Sequence, residues 1–146
     1  MISILLSLIM TLSAQTQKVP LVAEKASNKA FPLNNCSIFI DEADYSAVKK
    51  TAELFAGDIE AVTGKQPDVT TQEAKGNVII LGTLGNSKLI DKLAAGNKLD
   101  VSGIRGGWEQ FMIKRLQTPL PDIEKALIIA GSDRRGTAYG AFTISE

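Results

Sequence analysis

Apolar residues along this chain gather in short unbroken runs separated by polar, glycine-bounded stretches. Asn77-Val-Ile-Ile-Leu81 and Ala126-Leu-Ile-Ile-Ala130 have the length of strands covered on both faces, and Gly82 and Gly131 end them. Cys36-Ser-Ile-Phe-Ile40 is a shorter β-rich run. Beyond it, Tyr45, Val48, Ala52, Phe55, Ile59 and Val62 recur at spacings of three and four, which lays one stripe along a helix. Gly64 sits where a left-handed cap belongs, and Pro67 forbids continuation. Asp41 and Asp44, just upstream, offer helix caps and carboxylates that suit the helix dipole. A second helix is predicted from about Asn86 through Ala95, closed by Gly96-Asn97. Trp108 to Leu116 reads as a strand, Thr118-Pro-Leu-Pro-Asp122 as a connection, and the Ala126 run as its hairpin partner. After Gly131, Ser132 or Asp133 caps a last helix that carries Tyr139, Phe142 and Ile144.

The order β-α-β-α-β-β-α predicts an α/β (two-layer) fold, one mixed β-sheet packed with helices. A single domain spans 36–146 and ends in an incomplete helix, so the expectation is a truncated or split piece of something larger. Residues 15–35 form a polar lead-in without a second domain. Met1 to Ala14 is apolar and uncharged, the length of a secretory h-region and too short for a stable membrane span. That reading places the chain outside the cytoplasm, secreted or periplasmic. The rival is a buried strand or helix at the start of the fold.

Composition narrows the chemistry. Sixteen basic and sixteen acidic residues cancel, and the basic residues are scattered, so a nucleic-acid partner is not expected. Histidine is absent, which removes the commonest general base near neutral pH and the commonest transition-metal ligand. No metal site and no cofactor are predicted. Cys36, the single cysteine, reads as a small buried apolar residue rather than a nucleophile.

The most suggestive motif is Gly131-Ser-Asp-Arg-Arg-Gly136-Thr137, whose spacing imitates a phosphate-binding loop. Thr137 and Ala138 stand where Lys and Ser or Thr would be required, so the motif lacks its defining residue. Arg134 and Arg135 remain candidates for holding an anion at the helix start. The competing reading has the glycines turning the chain and the arginines pairing with nearby carboxylates. Gly82-Thr-Leu-Gly85 is accounted for by a tight turn. Trp108, after Gly106-Gly107, is a candidate platform for a sugar ring, or else ordinary packing. Glycoside hydrolysis needs two opposed carboxylates, and Glu53, Asp58 and Glu60 fall instead on the outer side of the long predicted helix. No catalytic residue is assigned.

Several passages together resemble the N-terminal domain of glycoside hydrolase family 115, the xylan α-1,2-glucuronidases. They are Ile40-Asp-Glu-Ala-Asp-Tyr45, Asp58-Ile-Glu-Ala-Val-Thr-Gly64-Lys-Gln-Pro67, Val78-Ile-Ile-Leu-Gly-Thr-Leu-Gly85, Leu89-Ile-Asp91, Gly107-Trp-Glu-Gln-Phe111 and Ala126 through Gly140. The resemblance implies a small α/β domain that precedes a (β/α)8 barrel, with the catalytic residues in that barrel and beyond this chain. The implied partner is the catalytic barrel of a parent or split polypeptide, with a xylan-derived oligosaccharide as a possible ligand. The alternative is a free-standing extracytoplasmic module that binds a sugar or anion at the Arg134-Arg135 loop.

Overall fold

The computed structural model describes residues 30–146, so the apolar segment 1–14 and most of the polar lead-in lie outside the described residues. Strands β1 (Ser37–Ile40), β2 (Val69–Thr70), β3 (Gly76–Thr83), β4 (Phe111–Leu120) and β5 (Ile123–Gly131) form one sheet in the order β2-β1-β3-β5-β4. β1, β2, β3 and β5 run parallel, and β4 joins β5 antiparallel as the expected hairpin. Three helices complete the chain, α1 (Ser46–Thr63), α2 (Lys88–Ala95) and α3 (Arg134–Ser145).

The central strands are apolar on both sides because both sides are covered. Ile38, Ile40, Ile79, Leu81, Leu127 and Ile129 meet Val48, Ala52, Phe55, Ala56 and Ile59 of α1 and Ala141 of α3. On the opposite face Val78, Ile80, Ala126, Ile128 and Ala130 meet Ile90 and Leu93 of α2 with Leu99, Val101 and Ile104 from the irregular segment after it. Each fully buried Ile, Leu or Val stabilises the fold by about 1.5–3 kcal/mol, so these two clusters hold the sheet.

Several elements depart from the sequence expectation for local reasons. The α1 stripe is shorter and wider than predicted, since Tyr45 and Val62 at its ends are exposed and Thr51 and Ala56 are buried beside it. Gly64 does close α1 in the left-handed region, at φ 75°. At the end of α2 it is Asn97, not Gly96, that takes positive φ, an excursion Asn tolerates better than most residues. β4 begins at Phe111, three residues after Trp108, and runs on through Pro119 to Leu120. Pro119 has no N–H to give the ladder, and the register shifts there, with Thr118 at φ 47°. The two-residue β2 has no pattern from which it could be predicted. Cys36 sits just before β1, donates weakly to the Leu33 carbonyl at 3.3 Å, and burial pushes its thiol up to about 11.

Candidate functional site

In an open sheet of this kind, ligands bind beyond the carboxyl ends of the parallel strands, where neighbouring strands send their helices to opposite faces. Here β1 and β3 make such a pair, since β1 leads into α1 on one face and β3 into α2 on the other. The strand ends on either side of it are bridged by the chain's own carboxylates. Asp44 Oδ2 accepts from the Thr83 backbone N–H at 2.7 Å and Asp44 Oδ1 from Tyr45 N–H at 2.8 Å. Asp41 Oδ2 accepts from Lys88 N–H at 2.9 Å, in the first turn of α2. Both residues lie where caps for α1 were expected. Yet α1 begins after Tyr45 with no side-chain cap, and Asp41 serves α2 instead. Asp44 is buried, and desolvation raises its pKa above the usual aspartate value against the opposing pull of the Thr83 and Tyr45 N–H groups.

The neighbouring junction between β3 and β5 is joined as well. The Thr83 and Thr137 hydroxyls lie 2.9 Å apart, and Thr137 Oγ1 also reaches the Gly82 and Asp133 carbonyls. Leu84 N–H donates to the Gly131 carbonyl at 3.0 Å. Gly131 must be glycine, because an added Cβ would lie 2.1 Å from Thr137 N. The glycine-bounded loop is therefore a compact strand-to-helix turn.

The third junction holds the predicted site residues. Asp133 caps α3, its Oδ1 accepting from Arg135 and Gly136 N–H at 2.9 Å each, while Oδ2 accepts from Glu109 N–H at 2.7 Å. These N–H groups, Gly136 first, hold the Asp133 carboxyl below its usual range. Arg135 pairs with Glu109 Oε1 at 2.7 Å, which strengthens the guanidinium's hold on its proton. Arg134 points elsewhere, its guanidinium 5.9 Å from the Tyr45 ring centroid. Ser132 and Gln110 exchange two further bonds, Ser132 N–H to the Gln110 carbonyl at 2.8 Å and Gln110 N–H to Ser132 Oγ at 3.0 Å. Trp108 leads this loop with its side chain in solvent, 76% exposed, where buried packing was the competing expectation. The fold thus ties Arg135 to the loop that carries Trp108, and directs Arg134 away to Tyr45. Glu109, which ties this loop to Asp133 and Arg135, carried no signal in the sequence, because its role depends on a positive φ of 54° and a contact 24 positions away. Among the described residues no group of His, Cys, Asp or Glu is arranged to hold a metal ion.

Comparison with known proteins gives these features a family. No curated protein matches the chain. Among solved structures it is similar to a family GH115 4-O-methyl-α-glucuronidase with specificity for decorated arabinogalactans, at 28% identity and a TM-score of 0.60. That match covers 75% of this chain and 13% of the enzyme, so the chain spans about an eighth of the glucuronidase's length. A family model described as the glycosyl hydrolase family 67 N-terminus matches residues 17–144. With that match running over nearly the whole sequence, the chain belongs to the glycosyl hydrolase family 67 N-terminus family.

Proposed function

We propose that this chain is a non-catalytic N-terminal accessory domain of an α-glucuronidase-type glycoside hydrolase acting on glucuronate-decorated plant polysaccharide. Its nearer kinship, in this reading, is to the GH115 glucuronidases, where the passages from Ile40 to Gly140 find their resemblance and the solved relative belongs. The observation that carries the proposal is the use to which the carboxylates at the sheet's carboxyl end are put. Glycoside hydrolysis needs one carboxyl group free to protonate the leaving oxygen and a second facing it. Asp41, Asp44 and Asp133 instead spend their oxygens on backbone N–H groups that join one strand end to the next.

The domain's work is then mechanical, presenting the outer side of α3, with Tyr139 46% exposed, to a catalytic barrel. The apolar segment Met1 to Ala14 supports export of the protein to the periplasm or beyond. The test is incubation of the purified chain with 4-O-methylglucuronate-substituted xylan oligosaccharides. No release of the uronic acid above buffer is expected, and release by this chain unaided refutes the non-catalytic assignment.

A further inference from the structure

The two edges of the sheet differ in length. β2, at one side, has two residues, whereas β4, at the other, runs for 10. An unpaired edge strand offers its backbone N–H and C=O groups to any extended chain, and folded proteins blunt such edges with bulges, prolines and charges. The last part of β4 is blunted in this way. Its register shifts between Gln117 and Leu120, Pro119 lacks an N–H, and Lys98 Nζ donates to the Pro119 carbonyl at 2.7 Å. Residues 111–116 are left open, sharing backbone hydrogen bonds with β5 alone among the described residues. Both flanks of this open stretch are apolar, with half-buried Ile113 on the α1 and α3 side and Met112 and Leu116 on the α2 side. Lys114 and Arg115, both exposed, carry all the charge of β4, and neither forms an ion pair among the described residues. The Asp100 carboxylate is near enough to feel the Lys114 charge, but turns its Oδ1 to the Ser102 N–H at 3.0 Å.

We propose that the outer edge of residues 111–116 takes an added β-strand from a partner polypeptide, an extended segment with carboxylates opposite Lys114 and Arg115. Main-chain hydrogen bonds supply the affinity, and the half-buried flanks of β4 give alternate side chains of the partner an apolar contact. The charges decide between occupants. A second copy pairing antiparallel along β4 brings the Lys114 and Arg115 of both copies together, and like charges across a ladder are destabilising. The chain's own segment 15–29 carries Lys18, Lys25 and Lys29 against a single Glu24, so its charge is also of the wrong sign. An acidic strand meets the two cations instead. They act at once as a bar to self-association and as the selector of the partner. This edge is a different surface from the outer side of α3 that faces a barrel in the reading above, and its occupation requires no sugar.

The full chain is titrated, by fluorescence anisotropy, with a dye-labelled peptide of β4's length that alternates valine and threonine around two adjacent glutamates. Saturable binding is expected, about tenfold tighter than with the same peptide carrying lysines in place of the glutamates. Lys114→Glu combined with Arg115→Glu, both at exposed positions, reverses that preference. A second measurement uses the unaltered protein. An added strand turns alternate N–H groups toward its neighbour and the others to solvent, so methylating one alternate set of peptide nitrogens abolishes binding and methylating the other set spares it. The proposal is overturned by an absence of saturable binding, by equal affinity for the acidic and basic peptides, by a preference that survives both substitutions, or by equal effects of the two methylated sets. Sedimentation of the free chain as a dimer, with the 111–116 amides protected from exchange, would overturn it as well by giving the edge to a second copy.

Discussion

Replacing Asp133 by alanine removes one side chain and three hydrogen bonds, all at the junction where β5, α3 and the loop before β4 meet. Loss of the cap on α3 costs about 1 kcal/mol, within the usual range of 0.5–2 for an Asp-to-Ala change at such a position. The Glu109 N–H loses a charged acceptor as well, worth about 1.5 kcal/mol at the lower end for such bonds because the group is partly solvated. Release of Glu109 from its left-handed conformation returns some of this, so the net expectation is about 2 kcal/mol. In urea this appears as a lower midpoint at unchanged slope, since the surface exposed on unfolding is the same. On heating, the melting temperature falls by about 4–8 °C for a chain of this size.

The pH dependence carries a sign of its own. The Asp133 pKa lies lower folded than unfolded, so its contribution is present above the unfolded value of 3.8 and is lost as the pH falls through the folded one. The difference between wild type and Asp133→Ala therefore shrinks on acidification. A destabilisation below about 0.5 kcal/mol at neutral pH, or a difference that grows toward acid, refutes the structural role assigned to this carboxylate.

Three further substitutions probe the same end of the sheet. Gly136→Ala places a Cβ 2.1 Å from the Gln110 carbonyl oxygen, backbone against backbone, and should cost about 3 kcal/mol or more in the urea midpoint. A cost under 1 kcal/mol would mean that α3 does not pack there. Thr137→Val leaves the Thr83 hydroxyl without its partner in a buried position and should cost about 1–3 kcal/mol by the same measurement, whereas a neutral result would show the hydroxyl pair to be dispensable. Asp44 behaves oppositely to Asp133. Its folded pKa is raised, so its contribution is greatest below 3.8 and is lost as the pH rises through the folded value. The advantage of wild type over Asp44→Asn should decline from acid to neutral pH, and an advantage that increases with pH would show that the N–H bonds outweigh desolvation.

Much of the fold could be read from the chain because its signals are local. Buried runs such as Val78 to Leu81 and Ala126 to Ala130 are apolar on both sides, and no surface helix has that pattern. The α1 stripe, the Gly64 cap and the Asp133 cap follow from spacing and from backbone preference within a few residues. The site was less legible, because its bonds join residues far apart in sequence. Asp41 looked like a cap for the helix that follows it, yet its carboxylate serves α2, 47 positions on, since the parallel pairing of β1 and β3 brings their ends side by side. The position of Trp108 depended on where β4 starts, and that start is set by the pairing of Phe111 with Gly131. Hydrophobic pattern alone ran the strand three residues too far.

The central claim is that the carboxylates at the carboxyl end of the sheet are committed to backbone N–H groups that hold the strand ends and helix starts together. Amide hydrogen exchange at Thr83, Lys88 and Gly136, one N–H group held by each of Asp44, Asp41 and Asp133, tests it most directly. The account predicts slow exchange at all three in the chain alone, unaltered by added glucuronate-substituted oligosaccharide. Fast exchange at these amides, or protection that appears only when the sugar is bound, would contradict it.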